Sequence, residues 1–455
     1  VRDVELRLRR GVQQNIRARV FANLLKNVLM LGPRYSRSDR IGDLYDRYLY
    51  KEAWGEEREL RSFGREKQIE LRELLIEPEG REGFAIGRDN PSRRNKVPAL
   101  VINATSLNTG HNWRFEAVRM GEALPDDPVK GDLVRAIDKN MRLEQGYFDA
   151  TAPTAPEGAL QIPDSQVDFP LALAVAASAA VPGVFHPLAI SDLYDGVRVQ
   201  LVDGGVQDNQ GLQALEDQDC ERIVISDASG QMDDLDKPAP FAPKVLFRTV
   251  GVAEDRIRDE QLVHHGAREF APVHLRMGLE AECVPPRGNE RKREKGVTKD
   301  KTDFGVDYRV QDLLSRIRTD LDYFSDTEAR SLEMDGYLLA EQMIDLPATG
   351  TEEADWPFFD SKDKLEAGEE SFLSELDAGS KSFLRAFRLR PVLATTVTLV
   401  LLGVLGLLLF VAFWSPGWLC GLPWPLSAVI LVVAAFLLLW AWSNLKPKMP
   451  WLYRR

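Results

Sequence analysis

The chain has 455 residues, 44% of them hydrophobic and 28% charged, and its 70 acidic and 58 basic side chains give a formal net charge of -12. The length suits one large globular domain with additions, and the acidic excess excludes the basic footprint on which nucleic-acid binding depends. Three cysteines, Cys220, Cys283 and Cys420, are too far apart and odd in number for a disulfide framework or a zinc ligand set, which fits a reducing compartment.

In chain order, residues 1–82 read as helical and arginine-rich, with Arg2, Arg7, Arg9, Arg10, Arg17 and Arg19 expected on a solvated or membrane-facing side. Strand signals follow at residues 99–105, 198–202 and 222–226, and helix signals at 133–142, 171–180 and 209–216. Apolar runs such as Ile223-Val224-Ile225 predict a parallel sheet covered on both faces, so the class is α/β. Residues 307–344 read as a last helical unit packed on that sheet. The basic run from Pro285 to Lys301 reads as a surface loop because acidic residues interrupt it; contact with lipid headgroups is the alternative. Residues 348–379 are acidic and read as a tether with a short amphipathic helix.

The C-terminal region is apolar. Residues 391–414 form a run of 24 without a charge, which at about 1.5 Å per residue spans a hydrocarbon core of about 30 Å. Residues 426–442 add 17 more, and Trp414, Trp418 and Trp424 flank the turn between the two runs at interfacial depth. This pattern predicts a transmembrane hairpin. Lys381, Arg385, Arg388 and Arg390 precede it, and Lys446, Lys448, Arg454 and Arg455 follow it, so both ends are expected on the cytoplasmic side.

The chemistry is concentrated in Leu201-Val202-Asp203-Gly204-Gly205-Val206-Gln207-Asp208-Asn209-Gln210-Gly211. An apolar strand delivers one carboxylate to a turn with two glycines and then starts a helix. Asp203 is the candidate general base, Gly204 and Gly205 form the tight turn, and Asn209 and Gly211 are expected to lock its geometry from behind. The competing reading makes Asp203 a helix cap, a role for which Asp208 is the rival. Other candidates are weaker. Ser178 lies among small residues that favour helix packing, and His186 lacks a serine or carboxylate at motif spacing. His264, His265 and His274 have no companion metal ligands, and Asn103 in Asn-Ala-Thr falls in an apolar strand. No metal or organic cofactor is expected.

Asp203-Gly204-Gly205 resembles the Asp-Gly-Gly motif of patatin-like phospholipases, and two further segments agree in order. Val-Pro-Ala-Leu-Val-Ile-Asn-Ala-Thr-Ser-Leu-Asn-Thr-Gly at 97–110 is similar to that family's strand and turn, and Ala-Ser-Ala-Ala-Val-Pro-Gly-Val-Phe-His-Pro at 177–187 to its small-residue helix and exit. The resemblance implies a three-layer α/β sandwich around a mainly parallel sheet and a Ser-Asp dyad acting on membrane lipid. An ordinary aspartate, with a pKa of about 3.9, is a poor base, so such a dyad needs an apolar pocket to raise it. The family's Gly-x-Ser-x-Gly elbow and glycine-rich oxyanion loop are absent from this sequence. The nucleophile is therefore expected upstream of Val1, and this segment alone is expected to be inactive.

The organisation expected is a helical part of the patatin-like domain at 1–95, the base-bearing core at 96–345, an acidic linker at 346–390, the hairpin at 391–442 and a basic cytoplasmic tail at 443–455. The expected protein is a multi-pass cell-membrane lipid acyl hydrolase with its catalytic domain in the cytoplasm. A tethered scaffold without catalysis and a lipid acyltransferase are the alternatives, and oligomeric state is left open.

Overall fold

The computed structural model describes residues 2–21, 36–50, 60–61, 65–66, 68–81, 83–90, 92–125, 128–152, 155–218, 220–228, 232, 234–264, 269–287, 300–318, 321–344 and 356–379. The expected hairpin at 391–442, the tail at 443–455 and most of the basic run after Arg287 lie outside the described residues. The chain divides into two compact units, Val1–Leu376 and Asp377–Arg455.

Eleven strands are described: β1 (Leu60–Arg61), β2 (Arg65–Glu66), β3 (Val101–Ser106), β4 (Asn112–Glu116), β5 (Arg119–Glu122), β6 (Gly146–Tyr147), β7 (Leu160–Gln161), β8 (Leu188–Tyr194), β9 (Val197–Asp203), β10 (Arg222–Asp227) and β11 (Glu269–His274). Seven form one sheet in the order β7-β6-β5-β4-β3-β9-β8. Every neighbouring pair in it is antiparallel except β6 and β7. The mainly parallel sheet expected from the sequence is therefore corrected. The cause is visible in β9, where Val199 and Leu201 are buried while Arg198 and Gln200 face outward. Such alternation marks a sheet with one solvated face, as antiparallel sheets commonly have. The β8–β9 connection is a two-residue Asp195-Gly196 turn with Gly196 at φ 67°, a conformation open to glycine and suited to a tight hairpin.

Parallel pairing does occur, between β10 and β11 in a separate two-stranded sheet. There Ile223 and Ile225 point into the core and Val224 stays exposed, so only one face is covered.

The helices of the first part are α1 (Arg2–Val12), α2 (Ile16–Phe21) and α3 (Arg37–Tyr45), followed by α4 (Ile86–Asp89), α5 (Pro128–Ile137) and α6 (Leu171–Ser178). The second part has α7 (Gly205–Asp208), α8 (Leu212–Asp217), α9 (Ala242–His264), α10 (Tyr308–Ser315), α11 (Asp326–Met343), α12 (Lys362–Ala367) and α13 (Glu370–Gly379). α6 is built almost wholly of small and apolar residues and lies on β3 and β9, with Ala174 and Ala177 in the same core as Ile102, Ala104, Val199 and Leu201. Its other side meets α3 at Gly42, where a Cβ would stand 3.3 Å from the carbonyl oxygen of Ala172. The small side chains thus let two helix backbones and a sheet approach closely. α3 starts from a capping box in which Ser36 and Asp39 satisfy each other's backbone N–H groups.

Two expectations change. Arg9, expected on a solvated or membrane-facing side, is buried and pairs with Glu5 and with Glu333 on α11. The segment read as an acidic tether with a short amphipathic helix does form amphipathic helices, but it packs rather than tethers: Phe358, Leu365, Phe372 and Leu376 join a core shared with Val310, Leu314 and Met334. Its carboxylates occupy the outer faces of short helices whose inner faces are apolar, a 3.6-residue period hidden by the local charge density. α11 packs on β11. Among the described residues, no helix is long and apolar enough to cross a membrane.

Candidate active site

Asp203 is the last residue of β9, beside the centre of the sheet. Its backbone is tied on two sides. Its N–H donates to the carbonyl of Ala180 at 3.1 Å, and its own carbonyl accepts from Thr105 Oγ1 at 3.0 Å. The next N–H, of Gly204, donates to the carbonyl of Ser178 at 3.4 Å. Ser178 thus supports the turn through its main chain, at the end of the tightly packed α6.

Gly204 is required for space rather than for backbone freedom. Its conformation is right-handed helical at φ -63°, which any residue adopts, but a Cβ there would stand 2.5 Å from the carbonyl oxygen of Asn103 on β3. Gly205 is tight as well, since its Cβ would meet Asn209 Oδ1 at 2.7 Å and Asp203 Oδ1 at 3.1 Å. The left-handed glycine of the motif is Gly211, at φ 69°; it separates α7 from α8, so the helix expected at 209–216 starts only at Leu212. Asn209 lies between these helices, with its side chain exposed on the solvent side and its Oδ1 turned toward Gly205.

The Asp203 carboxylate accepts one hydrogen bond, from the Gly205 N–H to Oδ1 at 2.8 Å. Among the described residues no donor reaches Oδ2. Burial raises the Asp203 pKa above the usual carboxylate range, and the Gly205 N–H works against that rise. The capping role belongs to Asp208. Its Oδ1 accepts from the Leu212 N–H at 3.0 Å and from Gln261 Nε2 at 3.1 Å, while Oδ2 accepts from the Gln213 N–H at 3.0 Å.

Two neighbours of Asp203 escaped the sequence reading. Glu254 on α9 has its pKa raised by burial first, and then by the charges of Asp203 and Asp255. Tyr45 on α3 is also raised, by burial first and then by Tyr50 and Asp203. For Glu254 a signal was present: it is the first acidic residue after a run from Pro238 to Ala253 that has none. Tyr45 gave no signal, because its place depends on α3 crossing α6.

Among the described residues no histidine side chain converges on Asp203; His265 and the His264 side chain lie outside the described residues. His186 is exposed, and its carbonyl accepts from Ser38 Oγ. His274 ends β11 opposite Asp227, with its pKa lowered by burial, and both line a cavity of about 220 Å³ under α11 that does not include Asp203. His111, unremarked in the sequence, bridges Glu122 Oε2 at 2.8 Å and Asp138 Oδ2 at 2.5 Å. That network fastens the β3–β4 turn to the end of α5.

A carboxylate with one oxygen held by the main chain and the other open, at a strand end backed by a small-residue helix, can accept a proton from a hydroxyl brought to its open oxygen. Residues 48–215 match the family model described as patatin-like phospholipase. The matched span includes Asp203, Gly204, Gly205, Asn209 and Gly211. No curated protein and no solved structure matches the chain.

Proposed function

We propose that this protein is a membrane-anchored serine lipid acyl hydrolase in which Asp203 is the base of a Ser-Asp dyad. The serine comes from residues preceding Val1, so the segment described here is inactive by itself. In the complete polypeptide, Asp203 Oδ2 accepts the serine proton as the hydroxyl oxygen attacks the ester carbonyl carbon. The proton then passes to the departing alcohol, and water, activated by the same carboxylate, releases the fatty acid and frees the serine. Gly204 and Gly205 hold the base against β3, and Gly205 N–H fixes which oxygen stays free.

The observation that carries this reading is the one-sided satisfaction of the carboxylate, together with its partial burial, which makes it more basic than an ordinary aspartate. The hairpin at 391–442 anchors the protein in the cell membrane, and the basic flanks keep both its ends in the cytoplasm. Anchoring keeps the site at high local concentration of substrate without further contacts.

Asp203→Asn in the serine-bearing polypeptide abolishes labelling by a serine-directed fluorophosphonate and release of fatty acid. It leaves folding intact, because the raised pKa means that the ionised carboxylate opposes folding at neutral pH. Turnover retained in this variant would remove Asp203 from the reaction. A complete polypeptide without a hydroxyl in reach of Asp203 would leave a tethered scaffold only. Protease accessibility of the 415–425 turn from the cytoplasmic face would contradict the topology.

A further inference from the structure

α9 is divided into two chemically different halves. From Glu254 onward it is charged and anchored: Arg258 is buried and pairs with Asp255 and Asp259, Gln261 binds Asp208, and Leu262 packs with Leu212, Ile223 and Ile225. The preceding stretch from Pro238 to Ala253 is apolar, and its only charges are the cations Lys244 and Arg248, in a chain whose net charge is -12. This stretch stands out from the fold, with Phe241, just before α9, 66%, Leu246 64% and Phe247 55% exposed.

The apolar surface continues to the base. A Cβ on Gly183 would lie 2.5 Å from the Phe247 ring, so the loop carrying the exposed Val181 and Val184 abuts α9. The carbonyl of Ala180, one residue before that loop, holds the N–H of Asp203. Immediately after Ala253, Glu254 lies within electrostatic reach of Asp203.

We propose that the N-terminal half of α9 and the 181–184 loop form the surface by which this domain docks on an anionic lipid bilayer, presenting lipid to Asp203. The inference rests on the acyl-hydrolase reading and adds the lipid surface to it. Exposed apolar side chains flanked by the exposed Lys244 suit insertion at a headgroup boundary that carries negative charge. The surface is continuous with the site, so a docked lipid meets the base without leaving the apolar face.

The test uses the serine-bearing polypeptide with Cys220→Ala, Cys283→Ala and Cys420→Ala, reconstituted in vesicles of phosphatidylcholine with a quarter phosphatidylglycerol. A nitrobenzoxadiazole label is placed on Leu246→Cys or, at the anchored end of α9, on Val263→Cys. The expected result is a blue-shifted label at 246 quenched by spin-labelled lipid, with the label at 263 unaffected. Lys244→Glu with Arg248→Glu, or vesicles of phosphatidylcholine alone, reduces quenching at 246 to the level at 263. Equal quenching at the two positions overturns the proposal, as does quenching that ignores the charge reversal. A label at 246 shielded in lipid-free detergent, at the mass of a dimer, also overturns it, since a second copy would then cover the face. The same measurements in Asp203→Asn separate the readings: docking kept with turnover unchanged removes the dyad but keeps the surface, and turnover lost without docking does the reverse.

Discussion

Replacing Gly204 with alanine isolates the contact that positions the base. The added Cβ would stand 2.5 Å from the Asn103 carbonyl oxygen and 2.9 Å from its carbon, where ordinary contact begins at 3.4 Å. The turn must therefore lift from β3 by about 0.9 Å, the difference between 3.4 and 2.5 Å. Both obstructing atoms are main chain in a central strand, so they cannot swing aside. Alanine gains about 0.4–1 kcal/mol from a less flexible unfolded chain, because φ -63° suits it. Overpacking opposes that gain with about 1–3 kcal/mol. The net expectation is a loss of about 1–2 kcal/mol, read as a lower urea midpoint at unchanged slope. In the serine-bearing polypeptide a displacement of this size reduces turnover by about 100-fold. Gly158→Ala is the control: at φ 79° it is strained, with nothing within 4 Å of the new Cβ, so it loses stability while turnover stays at the wild-type level. A Gly204→Ala protein as stable and as active as the wild type would refute the argument that this close approach places the base.

Asp208→Ala removes the acceptor for Leu212, Gln213 and Gln261 together. We expect a loss of about 2–3 kcal/mol in urea unfolding, accompanied by faster amide exchange across α8. Asp335, buried in α11, has its pKa raised to about 7 by desolvation, against a weaker opposing hydrogen bond from Gln311. Its folded pKa exceeds its unfolded value, so its contribution to stability is complete below about pH 4 and is lost as pH rises through about 7. The span from 3.8 to about 7 corresponds to at most about 4 kcal/mol. Asp335→Asn should flatten the stability profile between pH 5 and 8, and an unchanged profile would show that Asp335 does not titrate in that window.

The sequence disclosed the segments of the site more readily than the sheet that carries them. Strands at 99–105, 198–202 and 222–226 were legible within two residues of β3, β9 and β10, because their apolar runs end in turn residues. Strand direction was misread. The outward Arg198 and Gln200 and the Asp195-Gly196 turn both announce an antiparallel hairpin, yet the apolar run at 223–225 dominated the reading. β4, Asn-Trp-Arg-Phe-Glu, escaped because its polar residues are internal: Arg114 is buried beside Asp217 at 2.7 Å, a pairing set by the distant α8. α9 went unread as well, since its apolar half has no polar face to supply a helical period. The special character of Asp203 was visible in its two following glycines, but what each glycine does was not. Gly204 answers to Asn103, a hundred residues earlier in the chain, and no local pattern encodes that encounter.

The attachment of the Asp203 turn has a consequence for redesign. Ala180, Ser178 and Asn103 act on it through carbonyl groups, and Gly205 through its N–H. The acid is placed mostly by peptide groups, which every substitution retains. Under the docking proposed above, Val181, Val184 and Phe247 are therefore open to exchange for altered chain-length preference. A library varying those positions should keep its reactive acid in place, whereas one that varies the two glycines should not.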